Sequence, residues 1–251
     1  MTNLFNMTDK EHHRGMHPQD RALFNRTQRD ALCRAVADLS LLLTRDYPGK
    51  AALKLVGDRY ALSARQRQAI SRSACSDRAL LDRSRKKIAN SSELRHNRLS
   101  IDGFNCLITI ESAISGGVVI KGRDGAHRDL AGIHGSYRKV KETLAAIDIL
   151  GGYLESVEPA SVSWYLDSPV SNSGRLAKLL RGIASERAWP WDVVVTANPD
   201  RRLVETQAAV ASCDSWVLDR CARWIDLFGM IMSDTTLLSQ PWVVDLGKNQ
   251  A

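Results

Sequence analysis

Nowhere in its 251 residues does the chain string together the roughly 18 apolar residues that a membrane-spanning helix needs. The first 20 residues are polar, with His12, His13, Arg14 and Asp20 among them, and lack the apolar centre of a secretory signal. A cytoplasmic location is expected. Cysteine is scarce: Cys33, Cys75, Cys106, Cys213 and Cys221 are odd in number and widely spaced, which argues against a disulfide framework. No CxxC pair occurs, so a ribbon-type zinc site is not expected, and Cys213 and Cys221 read as small buried hydrophobes. There is no GxxxxGK[ST], and no GxGxxG follows a strand, which disfavours the two common glycine-rich nucleotide sites. GxSxG and HExxH are absent too, which removes two hydrolase chemistries.

What is present is an ordinary globular composition, 44% hydrophobic and 25% charged, with an uneven distribution of charge. The formal net charge is +7, but residues 1–98 hold 20 Lys and Arg against 10 Asp and Glu, and residues 99–251 hold 15 against 18. All six Trp lie from Trp164 onward. This asymmetry predicts two units, a basic helical region over 1–96 suited to a polyanion and an α/β domain over 97–251.

In the first unit, apolar residues from Leu23 to Leu43 recur at helical steps over 20–43, until Tyr47-Pro48-Gly49 stops them. A second helical stretch over 63–90 begins at Ser63 as N-cap, with a break expected near Ser76-Asp77. It carries Arg65, Arg67, Arg72, Arg78, Arg83, Arg85, Lys86 and Lys87, with Asp77 and Asp82 as its acids, so its basic face is read as a phosphate-binding surface. Asn90-Ser91-Ser92-Glu93 is the candidate linker.

The pattern then changes to alternating strands and helices. Strands are expected at 98–102, 161–166, 192–196 and 208–212, and helices at 105–115, 137–154, 174–186 and 217–227. A hairpin is expected over 118–130, and Trp242-Val243-Val244 is expected to close the sheet. Three consecutive Val at 193–195 suggest a strand buried on both faces. The alternation predicts a three-layer, mostly parallel sheet.

Three of these strands end in an aspartate, at Asp102, Asp167 and Asp214, and Asp219 follows Asp214 within the next helix. Ligands bind at the carboxyl ends of strands in open parallel sheets. Carboxylates gathered there stay ionised only beside a compensating cation, and hard oxygen donors select Mg²⁺ or Mn²⁺. Such an ion activates water for attack on a phosphodiester. A lone Asp after a strand is more often a helix cap.

Ile101-Asp102-Gly103-Phe104-Asn105 resembles the opening of PIN-like and NYN-type nuclease domains, and Ala211-Ser212-Cys213-Asp214-Ser215 resembles their late strand. The resemblance spans roughly 99–230. It implies a PIN-like fold with Asp102, Asp167 and Asp214 as metal ligands and Asn105 as a supporting group. Asp219 is a further catalytic candidate, as an outer ligand or a water-orienting base, although NYN domains tend to place their late acids two apart. Over nearly the whole chain, Arg14–Pro18, Arg65-Gln66-Arg67, Asp102–Asn105, His134–Arg138 and Leu166–Gly174 resemble the uncharacterised family called domain of unknown function 434, with its associated C-terminal domain. That likeness implies no activity.

The polar stretch after Asp167 is read as a phosphate-holding loop, with Ser168, Ser171, Asn172 and Ser173 as contacts. Its alternative is a turn that caps the next helix. His134 and Arg138 are further substrate contacts, and Tyr137 is either a base-stacking ring or a core residue. His13 and His17 stand four apart, but Gly15 and Pro18 argue against a helical metal pair. Arg14, His17 and Asp20 are expected to tie the N-terminal segment down. Asp200, in Asn198-Pro199-Asp200, is expected to cap a helix, with membership of the acidic site as the alternative. The reading is a Mg²⁺- or Mn²⁺-dependent nuclease acting on RNA. Its alternative is a non-catalytic nucleic-acid-binding or adaptor protein of the same fold.

Overall fold

The computed structural model describes residues 15–131, 137–234 and 238–248. In the N-terminal region it contains α1 (Asp20–Leu23), α2 (Arg26–Thr44), α3 (Gly49–Arg59), α4 (Ala64–Ser73) and α5 (Asp77–Lys86). A short 3-10 turn at Ser91–Leu94 leads into β1 (Arg98–Asp102), α6 (Gly103–Ile114), β2 (Val119–Lys121) and β3 (His127–Asp129). Then come α7 (Thr143–Val157), β4 (Ser161–Asp167), α8 (Ser173–Glu186), β5 (Trp191–Thr196) and α9 (Pro199–Glu205). The chain ends with β6 (Ala209–Ala211), α10 (Ser215–Arg220), β7 (Trp224–Ile225), α11 (Leu227–Ser233) and β8 (Val243–Asp245).

Capping explains where the N-terminal helices part. Asn25 caps α2 through a bond from Gln28 N, which separates α1 from the helix expected over 20–43. Ser63 caps α4 in a reciprocal box with Gln66, and Ser76 caps α5, so the 63–90 stretch divides at 74–76.

Five strands form a parallel sheet in the order β5-β4-β1-β6-β7. Counting only these strands along the chain, the order is 3-2-1-4-5, so the winding reverses between β1 and β6. That reversal is the switch point at which open α/β sheets bind ligands. The fold is therefore α/β with a parallel sheet between helices, as the alternation predicts.

Period-two alternation sorts each strand onto two faces. Leu99, Ile101, Val162, Trp164, Leu166, Ala209 and Ala211 face a core shared with α6, α7 and α8. Val210 and Trp224 face a smaller cluster with Leu203 of α9 and Val217 and Leu218 of α10. The triple-Val strand is an edge strand, not a central one: Val193 is buried, but Asp192 and Val195 are exposed. The helix expected from 137 begins only at Thr143, and the one expected over 217–227 is interrupted by β7.

The expected hairpin forms as β2 and β3, and β8 pairs with β2. Trp242–Val244 thus builds a second, three-stranded sheet and does not close the main one. Val119 faces the main core, whereas its neighbours Val118 and Ile120 join Leu32, Val36, Ile70 and Val244 under the N-terminal helices. The helices complete their core with residues from the α/β half.

Candidate active site

The register of the switch point builds the site. Ile101 of β1 pairs with Ala211 of β6, so the next residues, Asp102 and Ser212, lie level on the opposite face. On the other side Asp102 pairs with Tyr165, and Asp167 follows two residues on, on the same face. Asp102 stands where a cap for α6 would stand but makes no capping bond. Ser212 Oγ donates to its Oδ2 at 2.7 Å, and Asn105 Nδ2 donates to that same oxygen. Oδ1 accepts no hydrogen bond from a described residue. Asp102 is 6% exposed and lines a cleft of about 280 Å³. Gly103 lets β4 come close: a Cβ there would stand 2.5 Å from Leu166 Cδ2 and 3.0 Å from Tyr165 O.

Five aspartates line this cleft: Asp102, Asp129, Asp167, Asp200 and Asp214. Arg72, Asn105, Phe104, Ile108, Tyr165 and Val170 complete most of its wall. Burial pushes the Asp102 carboxyl up to about 6; its bonds from Ser212 and Asn105 oppose that, and the charges of Asp200 and Asp214 add to it. Asp200 is raised by burial and by Asp214 and Asp167, and Asp167 is raised by burial. The cleft is thus short of positive charge. Among the described residues no group of three His, Cys, Asp or Glu side chains that could hold a metal ion is found. Asp102, Asp167 and Asp214 share the cleft but do not close into the three-ligand cage expected from the strand ends.

Asp214 does in part what the simpler reading of a strand-end Asp predicts. Its Oδ1 caps α10, accepting from Trp216 N at 2.7 Å and Val217 N at 3.3 Å. Asp200 does not cap α9; Asn198 does, accepting from Arg201 N. Asp129 escapes a reading of the main strands because it enters from β3 of the second sheet, where it accepts from Ala131 N at 2.7 Å.

Asp219 lies outside the cleft. Arg83 Nε holds its Oδ1 at 2.7 Å, while Arg83 Nη1 binds Asp124 at 2.6 Å. Arg128 binds the same Asp124 and also donates to Cys213 O at 2.7 Å, and Arg83 reaches Ser215 O at 3.3 Å. This buried Arg–Asp–Arg group anchors the loop that carries Asp214.

The polar stretch after β4 is a turn. Ser168 N extends the pairing to Thr196 O, and Ser173 Oγ donates to Asp167 O and Val170 O. Asn172 adopts a left-handed φ of 72° and donates to Tyr137 O, while Ser171 O accepts from Tyr137 N. Their hydrogen bonds go to the backbone, and none of the four lines the cleft. Tyr137 is buried with its hydroxyl on Glu111, so it is a core residue. Arg138 lines a separate depression with Lys139, Asn172 and Arg175. His13, Arg14 and His134 lie outside the described residues.

The basic helices are largely spent on the fold. Arg65 forms a bidentate pair with the fully buried Asp20, which ties down the N-terminal segment as expected. Arg67 bonds Leu62 O, Lys54 O and Asp58. Lys86 bonds Leu218 O, and Lys87 bonds Gly125 O over the Trp224 ring. Arg65 and Arg67 are therefore structural. Of the three helix arginines singled out for substrate, Arg72 alone reaches the cleft.

A doubly wound sheet whose switch point opens on five aspartates defines the class of structure. The chain belongs to the family described as Domain of unknown function (DUF5616), which matches residues 91–230. Residues 31–86 match Protein of unknown function (DUF434). An uncharacterized protein of Methanocaldococcus jannaschii is 30% identical over 185 residues, covering 74% of this chain and 88% of that protein. No solved structure matches the chain. No helix among the described residues is long and apolar enough to cross a membrane.

Proposed function

We propose that the protein is a metal-dependent nuclease of PIN-like fold that hydrolyses phosphodiester bonds, with RNA as the favoured substrate. The observation that supports this most is Asp102: a buried carboxylate at the switch point, held on one oxygen by neutral donors, with its other oxygen bonded to no described residue and four further aspartates in the same cleft. The donor set is oxygen throughout, which suits Mg²⁺ or Mn²⁺. Mg²⁺ keeps several waters and binds through one or two carboxylates together with substrate phosphate, so a three-carboxylate cage is not required. Asp102 would hold the ion, Asn105 and Ser212 would orient Asp102, and Asp167, Asp200 and Asp214 would supply the surrounding negative charge. Bound there, the ion would supply a Lewis acid for the scissile phosphate and a more acidic water.

RNA is preferred because the residues around Asp102 and Asp214 resemble NYN-type domains. The test is cleavage of a labelled RNA oligonucleotide with Mn²⁺. Wild type should cut and Asp102→Asn should not; equal cleavage by both would end the proposal. The second reading, a non-catalytic nucleic-acid-binding or adaptor protein, is favoured by the absence of a three-ligand group among the described residues. It predicts salt-dependent RNA binding without turnover.

A further inference from the structure

We propose that Arg72, at the end of α4, holds the substrate phosphate over the acidic cleft, so that the N-terminal helices supply part of the active site. The inference rests on the phosphodiester reading above and assigns it a substrate-contacting residue from the part of the chain that matches the second family.

Two observations carry it. Arg72 lines the cleft together with five aspartates, and among the described residues it is the one Lys or Arg that does so. Yet its side chain makes no hydrogen bond or ion pair with another described residue, unlike those of Arg65, Arg67 and Arg83 in α4 and α5. A guanidinium beside so many acids would ordinarily fold onto one of them. This one stays available.

Its backbone, by contrast, is fixed on both sides. Arg65 and Gln66 tie the start of α4 to Asp20 and Leu23 O. At the end of α4, Ser73 O accepts from Arg123 N at 2.9 Å. Gly122 allows this contact, since a Cβ there would stand 3.3 Å from Ser73 Cα and 2.8 Å from Arg128 Nη1. A planar fork of N–H donors on a fixed base suits two oxygens of one phosphate. It also answers a problem of charge. Five carboxylates repel a polyanion, and Arg72 together with a bound cation makes the approach of one phosphate favourable.

The experiment compares wild type, Arg72→Gln, Arg72→Lys and the control Arg187→Gln, an exposed arginine of the α/β half outside the cleft. It measures binding of a fluorescein-labelled single-stranded RNA by anisotropy, Mn²⁺-dependent cleavage of that RNA, and Mn²⁺ affinity by calorimetry. Arg72→Gln should lower kcat/KM by about 10²-fold, the scale of losing one charge-stabilising donor. Arg72→Lys should recover part of this, and Arg187→Gln should behave as wild type. Mn²⁺ should bind Arg72→Gln at least as tightly as wild type, because a competing positive charge is gone. Unchanged RNA binding and cleavage in Arg72→Gln would overturn the inference while leaving the nuclease reading intact. Loss of Mn²⁺ affinity would overturn it as well, by showing that Arg72 maintains the shape of the cleft. RNA binding that depends on Arg72 without any cleavage would support the inference and remove the nuclease. Neither binding nor cleavage in wild type would remove both.

Discussion

Asp102 and Asp124 are both buried aspartates, 6% and 7% exposed, and the protein treats them in opposite ways. Burial alone would raise both. At Asp124 the guanidinium groups of Arg128 and Arg83 override burial and hold the carboxyl far below the usual range. At Asp102 the partners are a hydroxyl and an amide, burial prevails, and the carboxyl sits near 6. One acid is neutralised within the fold and locks α5, the hairpin and the loop after β6 together. The other is bonded to no Lys or Arg among the described residues, at the point where the sheet opens. A buried acid without an internal cation costs stability, and such costs concentrate at functional sites. The pairing therefore separates the structural aspartate from the candidate site aspartate better than burial does.

The largest effect should come from breaking the neutralised acid. Arg128→Met leaves Asp124 with Arg83 alone and frees Cys213 O, and should cost about 3–5 kcal/mol, read from urea denaturation. Asp102→Asn should do the reverse. Mn²⁺-dependent turnover should fall by about 10²-fold or more, while the unfolding free energy at neutral pH stays at or above wild type. A drop in stability there would mean that Asp102 is structural.

The pH dependence should differ in sign. The folded pKa of Asp102 lies above its unfolded value of 3.8, so the native state holds the proton more tightly. Its contribution to stability is present below the unfolded pKa and is lost as pH rises through about 6. The depressed Asp124 contributes above its unfolded pKa and loses that contribution in acid. The difference in Tm between wild type and Asp102→Asn should therefore move against wild type as pH rises from about 4 to about 7. Added Mg²⁺ should raise the wild-type Tm at the upper end of that range. The smallest effect belongs to Asp219, whose side chain is 37% exposed. Asp219→Asn should cost less than about 1 kcal/mol and leave turnover unchanged.

The sequence shows the backbone of the site better than its occupants. The order of the longer strands is legible because β1 and β4 end at a glycine, proline or polar turn, and β1 runs from Arg98 to Asp102 as its pattern predicts, whereas the two-residue β7 is hidden in a stretch that reads as one helix. The edge position of β5 is not legible, since three Val in a row look alike in the middle and at the rim of a sheet. Asp102 and Asp167 can be read from strand ends because a parallel register places them there. Asp129 cannot, because it reaches the cleft through a second sheet whose docking no local spacing records. The basic helices mislead for a related reason. Arg83 finds Asp124 and Asp219, 41 and 136 residues away, and a charge run in sequence does not show which charges are already answered. Arg72 and Arg83 look alike until the fold separates them.

The most direct measurement is the titration of the Asp102 carboxyl by ¹³C NMR, with and without Mg²⁺. A midpoint near 6 that falls when Mg²⁺ is added would show a buried carboxylate whose missing counter-charge is a divalent ion. A midpoint in the ordinary range near 3.8, unmoved by Mg²⁺, would contradict the account.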